Sequence, residues 1–163
     1  MLAMESQYAQ YAAGEDRPLG GFTALMGTYL AAVAGLAAAA RLSGRRIPEP
    51  TAWDVLLWAG ANYRLSRLLT KDPVTSPLRA PFTRFKGTSG PAELAEDVRG
   101  SGLRKAVGEL VTCPFCTGLW IATSFAAGSV FAPGPTRMAA ATLTSLALSD
   151  LLHFARAQLQ SHA

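Results

Sequence analysis

Nineteen consecutive residues, Phe22–Ala40, carry no charged side chain. A helix rises ~1.5 Å per residue, so about 20 such residues match the hydrocarbon thickness of a bilayer. Two further apolar blocks follow. Phe115–Ala132 is uncharged over 18 residues, and Thr136–Arg156 keeps its charges near its ends, at Arg137, Asp150, His153 and Arg156. A soluble domain spreads its apolar residues with the period of its helices and strands, whereas here they fall into blocks. Only 16% of the 163 residues are charged, against a typical ~25%. The expected fold class is therefore all-α: a small integral membrane protein with three or four hydrophobic helices and a cytoplasmic loop.

The first block has a rival reading as a secretory signal peptide, with Ala38-Ala39-Ala40 as the cleavage site. Such a peptide has an apolar core of only ~7–15 residues behind a positive leader. The leader here holds Glu5, Glu15 and Asp16 against one Arg17, so a retained span at 22–40 is favoured. Gly27, Ala31, Gly35 and Ala39 recur at four-residue steps and give the helix one face of small side chains. Such a face lets another helix come close, and self-association through it is the matching expectation. An Ala-rich span has small residues on every face, which is the plainer explanation.

The remaining segments are mixed. Residues 1–21 look like a short polar tail, disordered or on the surface. Thr51 with Asp54 three residues on is a helix start. Residues 51–70 begin apolar, with Trp53, Val55, Leu56, Leu57 and Trp58, and end with Asn62, Arg64, Ser66 and Arg67. This is either a transmembrane helix emerging into the head groups or an interfacial helix lying flat. An arginine at the bilayer centre costs ~2.5–3.5 kcal/mol, so Arg64 and Arg67 belong near a surface. They are candidates for contact with lipid phosphate or a partner's carboxylate, against ordinary snorkelling as the simpler view. Residues 71–111 form the one long hydrophilic stretch. The prolines at 73, 77 and 81 suggest an extended Pro73–Pro81. Arg79, Arg84 and Lys86 with Phe82 and Phe85 suit a membrane surface. Pro91–Val98 has the proline and acids of a helix start, and Leu103–Val111 reads as a second short helix with Leu103, Val107 and Leu110 as its apolar face.

Charge gives an orientation. With four spans and an inside N-terminus, eleven Lys/Arg lie inside and four outside (41, 45, 46 and 137). With residues 51–70 flat and three spans, thirteen lie inside and only Arg17 and Arg137 outside. The positive-inside rule favours three spans, the tryptophan-rich start of 51–70 favours four, and both put the 71–111 loop and the C-terminus in the cytoplasm. The net charge of +4 suits an anionic membrane surface. No nucleic-acid motif surrounds the basic stretch Phe82–Lys86, so a nucleic-acid partner is not expected and the lipid bilayer is.

The two cysteines stand together in Cys113-Pro114-Phe115-Cys116, where the hydrophilic loop gives way to a 112–156 helical hairpin. With Cys113 as N-cap, Pro114 takes the first helical position and Cys116 the third. Both sulfurs then face the positive end of a helix dipole, which favours thiolate. Three roles stay open for Cys113 and Cys116. They fit a thiol–disulfide pair, and Cys-Pro-aromatic-Cys resembles the glutaredoxin motif, though over four residues only. They fit half of a zinc site, which needs four ligands, so that two copies in a dimer complete it. They also fit plain packing at a helix start, with Trp120 covering the second sulfur. His153 is the one histidine at comparable depth, and His162 is in the tail. Asp54 and Asp150 are the only candidates for acids within the membrane. Asp150 with His153 is an i, i+3 pair that could relay protons, or more simply a helix end near water.

The order Arg64-Leu65-Ser66-Arg67-Leu68-Leu69-Thr70-Lys71-Asp72-Pro73, then Pro77-Leu78-Arg79, then Thr112–Trp120 resembles an uncharacterised bacterial family, domain of unknown function 1360. The resemblance covers roughly Trp53–Arg156 and leaves Phe22–Ala40 outside. It implies a small bacterial membrane protein, in a family with some members linked to sporulation, and brings no activity with it; the expected location is the cytoplasmic (inner) membrane, crossed several times. Neither H-E-x-x-H, nor G-x-S-x-G, nor a phosphate-binding glycine loop occurs. The leading expectation is a non-enzymatic envelope or assembly component with no catalytic residues. The runner-up is a membrane thiol-redox or metal-binding protein.

Overall fold

The computed structural model describes residues 2–161, with side chains from 6 to 160; His162 lies outside the described residues. Its helices are α1 (Leu2–Ala12), α2 (Leu19–Leu42), α3 (Ala52–Thr70), α4 (Ser76–Arg79), α5 (Gly102–Thr112), α6 (Pro114–Phe131) and α7 (Pro133–Ser161), with strands β1 (Thr83–Gly90) and β2 (Glu93–Val98). Three of these, α2, α6 and α7, are long and apolar enough to cross a membrane.

Four long helices run side by side, and their contacts give the directions. Along α3 and α7, Asp54 meets Arg137, the Leu57 carbonyl accepts from Thr144 at 2.6 Å, and Arg64 reaches Asp150. Both sequences advance together, so these helices are parallel. Asn62 of α3 faces Gly118, while Trp58, earlier in α3, shares a cavity wall with the later Ser129. α6 is therefore antiparallel to α3. Tyr29 of α2 hydrogen-bonds Thr123, and Arg45 beyond its end donates to the Val130 and Phe131 carbonyls. α2 thus runs with α6. The chain goes up α2, down α3, up α6 and down α7, so one end of the bundle holds residues 71–113 and the other holds the 43–51 connector and the turn at Ala132.

The core is small. Ala61, Ile121, Phe125 and Ala140 are buried, with Leu57, Trp58, Leu65, Leu69 and Leu143 against them. Small side chains permit the closeness. A Cβ on Gly60 would stand 2.7 Å from the Thr144 methyl, so α3 and α7 meet where only glycine fits without a shift. α3 starts as its sequence suggests. Thr51 Oγ1 accepts from the Asp54 amide at 3.2 Å, and the Thr51 amide donates back to the Asp54 carboxylate at 3.1 Å. This reciprocal pair satisfies two amide donors at the helix start that have no intrahelical partner.

The hydrophilic stretch departs from the all-α expectation. Residues 83–98 form an antiparallel hairpin, with Thr83 opposite Val98 and Phe85 opposite Glu96, and an irregularity at Lys86. The acids of 91–98 do not start a helix, because their charge is answered elsewhere: Glu93 pairs with Arg67, Glu96 with Arg79 and Asp97 with Lys86. Ala92 holds a positive φ of 59° in the tight turn. Pro73–Pro81 is not extended either. Pro73–Thr75 is a 3-10 turn and Ser76–Arg79 a single helical turn. Proline in a first helical turn removes only an N–H that has no partner there. The helix expected over 103–111 is α5, but its buried face is Ala106 and Gly108, while Leu103 is exposed. The N-terminal tail contains the helix α1, and the C-terminal helix continues past Arg156 to Ser161.

Candidate functional site

The polar residues converge on the end of the bundle closed by residues 71–113, the cap. α3 delivers Arg64 and Arg67 there one turn apart. Arg79, expected at the membrane surface, is instead 1% exposed. Its Nε donates to Glu96 Oε2 at 2.5 Å, Nη1 to the Leu69 carbonyl and Thr75 Oγ1, and Nη2 to the Asp72 carbonyl. Leu69 is in the last turn of α3, where carbonyls lack helical partners. Arg79 therefore ends α3, holds the 72–75 turn and anchors β2 at once. The sequence signal was its place in Pro77-Leu78-Arg79, but its partner Glu96 is 17 residues away.

Arg64 and Arg67 have different environments. Arg64 Nη2 donates to Asp72 at 3.0 Å, and its Nε lies 3.2 Å from Asp150. That second contact lacks hydrogen-bond alignment, so Nε is buried with charge attraction alone. Asp150 is thus an ion-pair partner of α3, and His153 is exposed beside it. Arg67 pairs with Glu93 and lies over the Tyr63 ring, 5.6 Å from its centroid. Two openings flank Tyr63 and Arg67. One, about 370 Å³, includes Arg64, Asp72, Glu93, Asp150 and His153 in its wall. The other, about 480 Å³, lies between α3 and α6.

Cys113 caps α6 with Pro114 behind it, and its sulfur accepts from the Cys116 amide at 3.3 Å. The two sulfurs are 2.7 Å apart in hydrogen-bond contact, and both thiols are free. They border a cavity of about 320 Å³ with Phe22, Leu25, Ala106 and Leu110, where Arg17 and Glu109 face each other at 3.8 Å. Trp120 does not cover the exposed Cys116. It stands edge-on to Tyr29, with ring centroids 5.2 Å apart. Among the described residues, no group of three or more His, Cys, Asp or Glu could hold a metal ion. Among the described residues, the two thiols therefore make at most half of a four-ligand site. On α2, Gly27, Ala31, Gly35 and Ala39 are all exposed, and a Cβ on Gly27 or Gly35 would meet nothing within 4 Å.

A family model described as a protein of unknown function, DUF1360, matches residues 57–156. The chain belongs to this family. The DUF1360 match takes in most of α3, the whole cap, α6 and most of α7, and omits α2. A relative is the "Sporulation protein YjcA" of Bacillus subtilis (strain 168), 38% identical over 71 residues. That alignment covers 42% of this chain and 60% of the relative's length. No solved structure matches. DUF1360 membership supplies no activity.

Proposed function

We propose that the protein is a four-pass component of a bacterial cytoplasmic membrane, with a non-enzymatic role in envelope assembly. The observation that carries the four-pass reading is the alignment of α3 with α7 along its length, from Asp54–Arg137 to Arg64–Asp150. A helix lying flat on the surface would cross its neighbours at one point. Four crossings put Arg41, Arg45, Arg46 and Arg137 at the far end and the other eleven Lys/Arg at the cap end, which makes the cap cytoplasmic. Arg64 and Arg67 then stand at the cap-side boundary, with their charge answered by acids rather than left in hydrocarbon. The sporulation name of the Bacillus relative supports an envelope-assembly setting. The test is the accessibility of tags at the two termini. Both should react from the cytoplasmic side only; opposite sides would rule out four crossings.

The thiol pair supports a second reading, a dithiol that cycles with a disulfide or shares a metal between two copies. Its support is the sulfur contact at 2.7 Å and the exposure of Cys116. Mass-tagged alkylation with and without reductant reads the disulfide fraction, and metal analysis reads bound zinc. Fully reduced thiols under oxidant challenge, with less than about one zinc per two chains, would leave the cysteines a packing role alone.

A further inference from the structure

We propose that Cys113 and Cys116 reduce small disulfides flanked by uncharged apolar groups, with Cys113 attacking and Cys116 resolving. This rests on the dithiol reading above and assigns its chemistry.

The hydrogen bonds tell the two sulfurs apart. Cys113 Sγ accepts from the Cys116 amide at 3.3 Å and from the Cys116 thiol at 2.7 Å. A sulfur that accepts two hydrogen bonds at a helix start holds negative charge better than the sulfur that donates one. The thiolate is the attacking form in disulfide exchange. Cys113 is therefore the nucleophile, although Cys116 is the more exposed of the two.

The exchange balances within the pair. The Cys113 thiolate, its proton lost to water, attacks one sulfur of R–S–S–R. A Cys113–S–S–R bond forms, and R–S⁻ leaves and takes up a proton. Cys116 then gives its proton to water and attacks Cys113 Sγ. The Cys113–Cys116 bond forms, and the second R–S⁻ leaves and is protonated. The dithiol loses two electrons, and the substrate gains them as two R–SH. The sulfurs are already in contact at 2.7 Å, so the second attack needs only a short closure to the bond length of about 2 Å. Being intramolecular, it outruns attack by an outside thiol.

The cavity beside the sulfurs selects the substituents. At about 320 Å³ it lies at the lower end of ligand sites, which suits a small molecule. Phe22, Leu25, Ala106 and Leu110 line it together with the two cysteines. Its charged residues, Arg17 and Glu109, answer each other at 3.8 Å, and Arg17 also lies over the Phe22 ring. A charged substituent would lose water against a pair whose charges already cancel, whereas an alkyl group would leave water for an apolar wall.

The test is oxidation of the full chain in mild detergent by dipropyl disulfide, cystamine or dithiodipropionate, each rate divided by the rate with dithiothreitol. Cys116→Ser should accumulate a stable propyl mixed disulfide on Cys113, and Cys113→Ser should form about tenfold less on Cys116, both read by mass mapping. Serine is itself an N-cap, so the start of α6 survives the change. Dipropyl disulfide should be preferred about tenfold over either charged disulfide, the scale of two buried methylenes. Leu25→Trp, which fills the cavity, should abolish that preference. Leu30→Trp, at an exposed position of the same helix, should keep it, which removes partition into detergent as the cause. Circular dichroism checks each variant's helicity, and should Leu25→Trp unfold, Leu25→Phe replaces it. Trapping on Cys116, or equal trapping on both, overturns the assignment of roles. A wild type without the preference, or a filled cavity that keeps it, overturns the substrate class. A wild-type chain that no disulfide oxidises refutes the dithiol cycle itself, whereas oxidation without these preferences refutes only this proposal.

Discussion

α2 and α3 are both helices of the same bundle, yet they are held in opposite ways. α2 is the more apolar of the two and is mostly bare, touching α5 at Gly21 and α6 at Tyr29. α3 is less apolar and is gripped on two sides and at both ends. Thr51 and Asp54 close its start, Thr144 meets Gly60 in its middle, and Arg79 closes its finish. Hydropathy therefore says which helices suit lipid, whereas polar and small residues say which helices are locked to protein. The family match follows the second property: it covers most of α3 and the helices that grip it, and leaves α2 out.

The largest effect should come from the lock at the end of α3. Arg79→Ala leaves Glu96, 6% exposed, without its cation. Removing one partner of a buried pair costs about 3–5 kcal/mol, chiefly because the other charge stays buried. Thermal unfolding in mild detergent should show that loss, and the double change Arg79→Met with Glu96→Leu should recover much of it. By contrast, Lys86→Ala breaks an exposed pair with Asp97 and should cost less than about 1 kcal/mol. If the two single variants unfold alike, the cap is not locked as described and the contrast with α2 fails.

A matched pair of glycine substitutions tests the middle of each helix. Gly60→Leu forces a side chain into Thr144 across the α3–α7 contact. Overpacking of this kind typically costs about 1–3 kcal/mol. Gly35→Leu on α2 meets open space and should be close to neutral in the isolated chain. Comparing both in detergent and in bilayers sharpens the point. A Gly35→Leu that is neutral as a monomer but disrupts a cross-linked dimer in membranes would give the small-residue face of α2 the self-associating role expected of it. Neutrality in both settings would leave that face to lipid.

What could be read from the sequence was local. The Thr51 cap needs only Asp54 three residues on, and the Cys113 cap only Pro114 next to it. The uncharged blocks announce their own helices. The cap was legible only as a hydrophilic region, since its structure rests on pairs far apart in the chain: Arg67 with Glu93, Arg79 with Glu96, Arg64 with Asp150. Acids near a proline suit a helix N-terminus when nothing else answers their charge. Here three cations do, and the same residues become a strand. The thiol geometry was legible as a cap, but the place of Trp120 was not. It depends on Tyr29, which approaches from a helix outside the family's common stretch.

The smallest effect belongs to the start of α3. Thr51→Ala removes the one hydroxyl that both accepts from the Asp54 amide and donates to the Asp54 carboxylate. A lost N-cap costs about 1 kcal/mol. Asp54 also keeps Arg137 at 3.2 Å, so the variant should not release α7 from α3. The start of α2 offers the control. Pro18 provides no side-chain cap there, so its first turn begins without this reinforcement. Amide exchange should therefore be slower in the first turn of α3 than in that of α2, and Thr51→Ala should close most of the gap. If exchange in α3 stays slow after the substitution, its start is held by Arg137 and the bundle rather than by its cap. The difference between the two helices would then be one of packing alone.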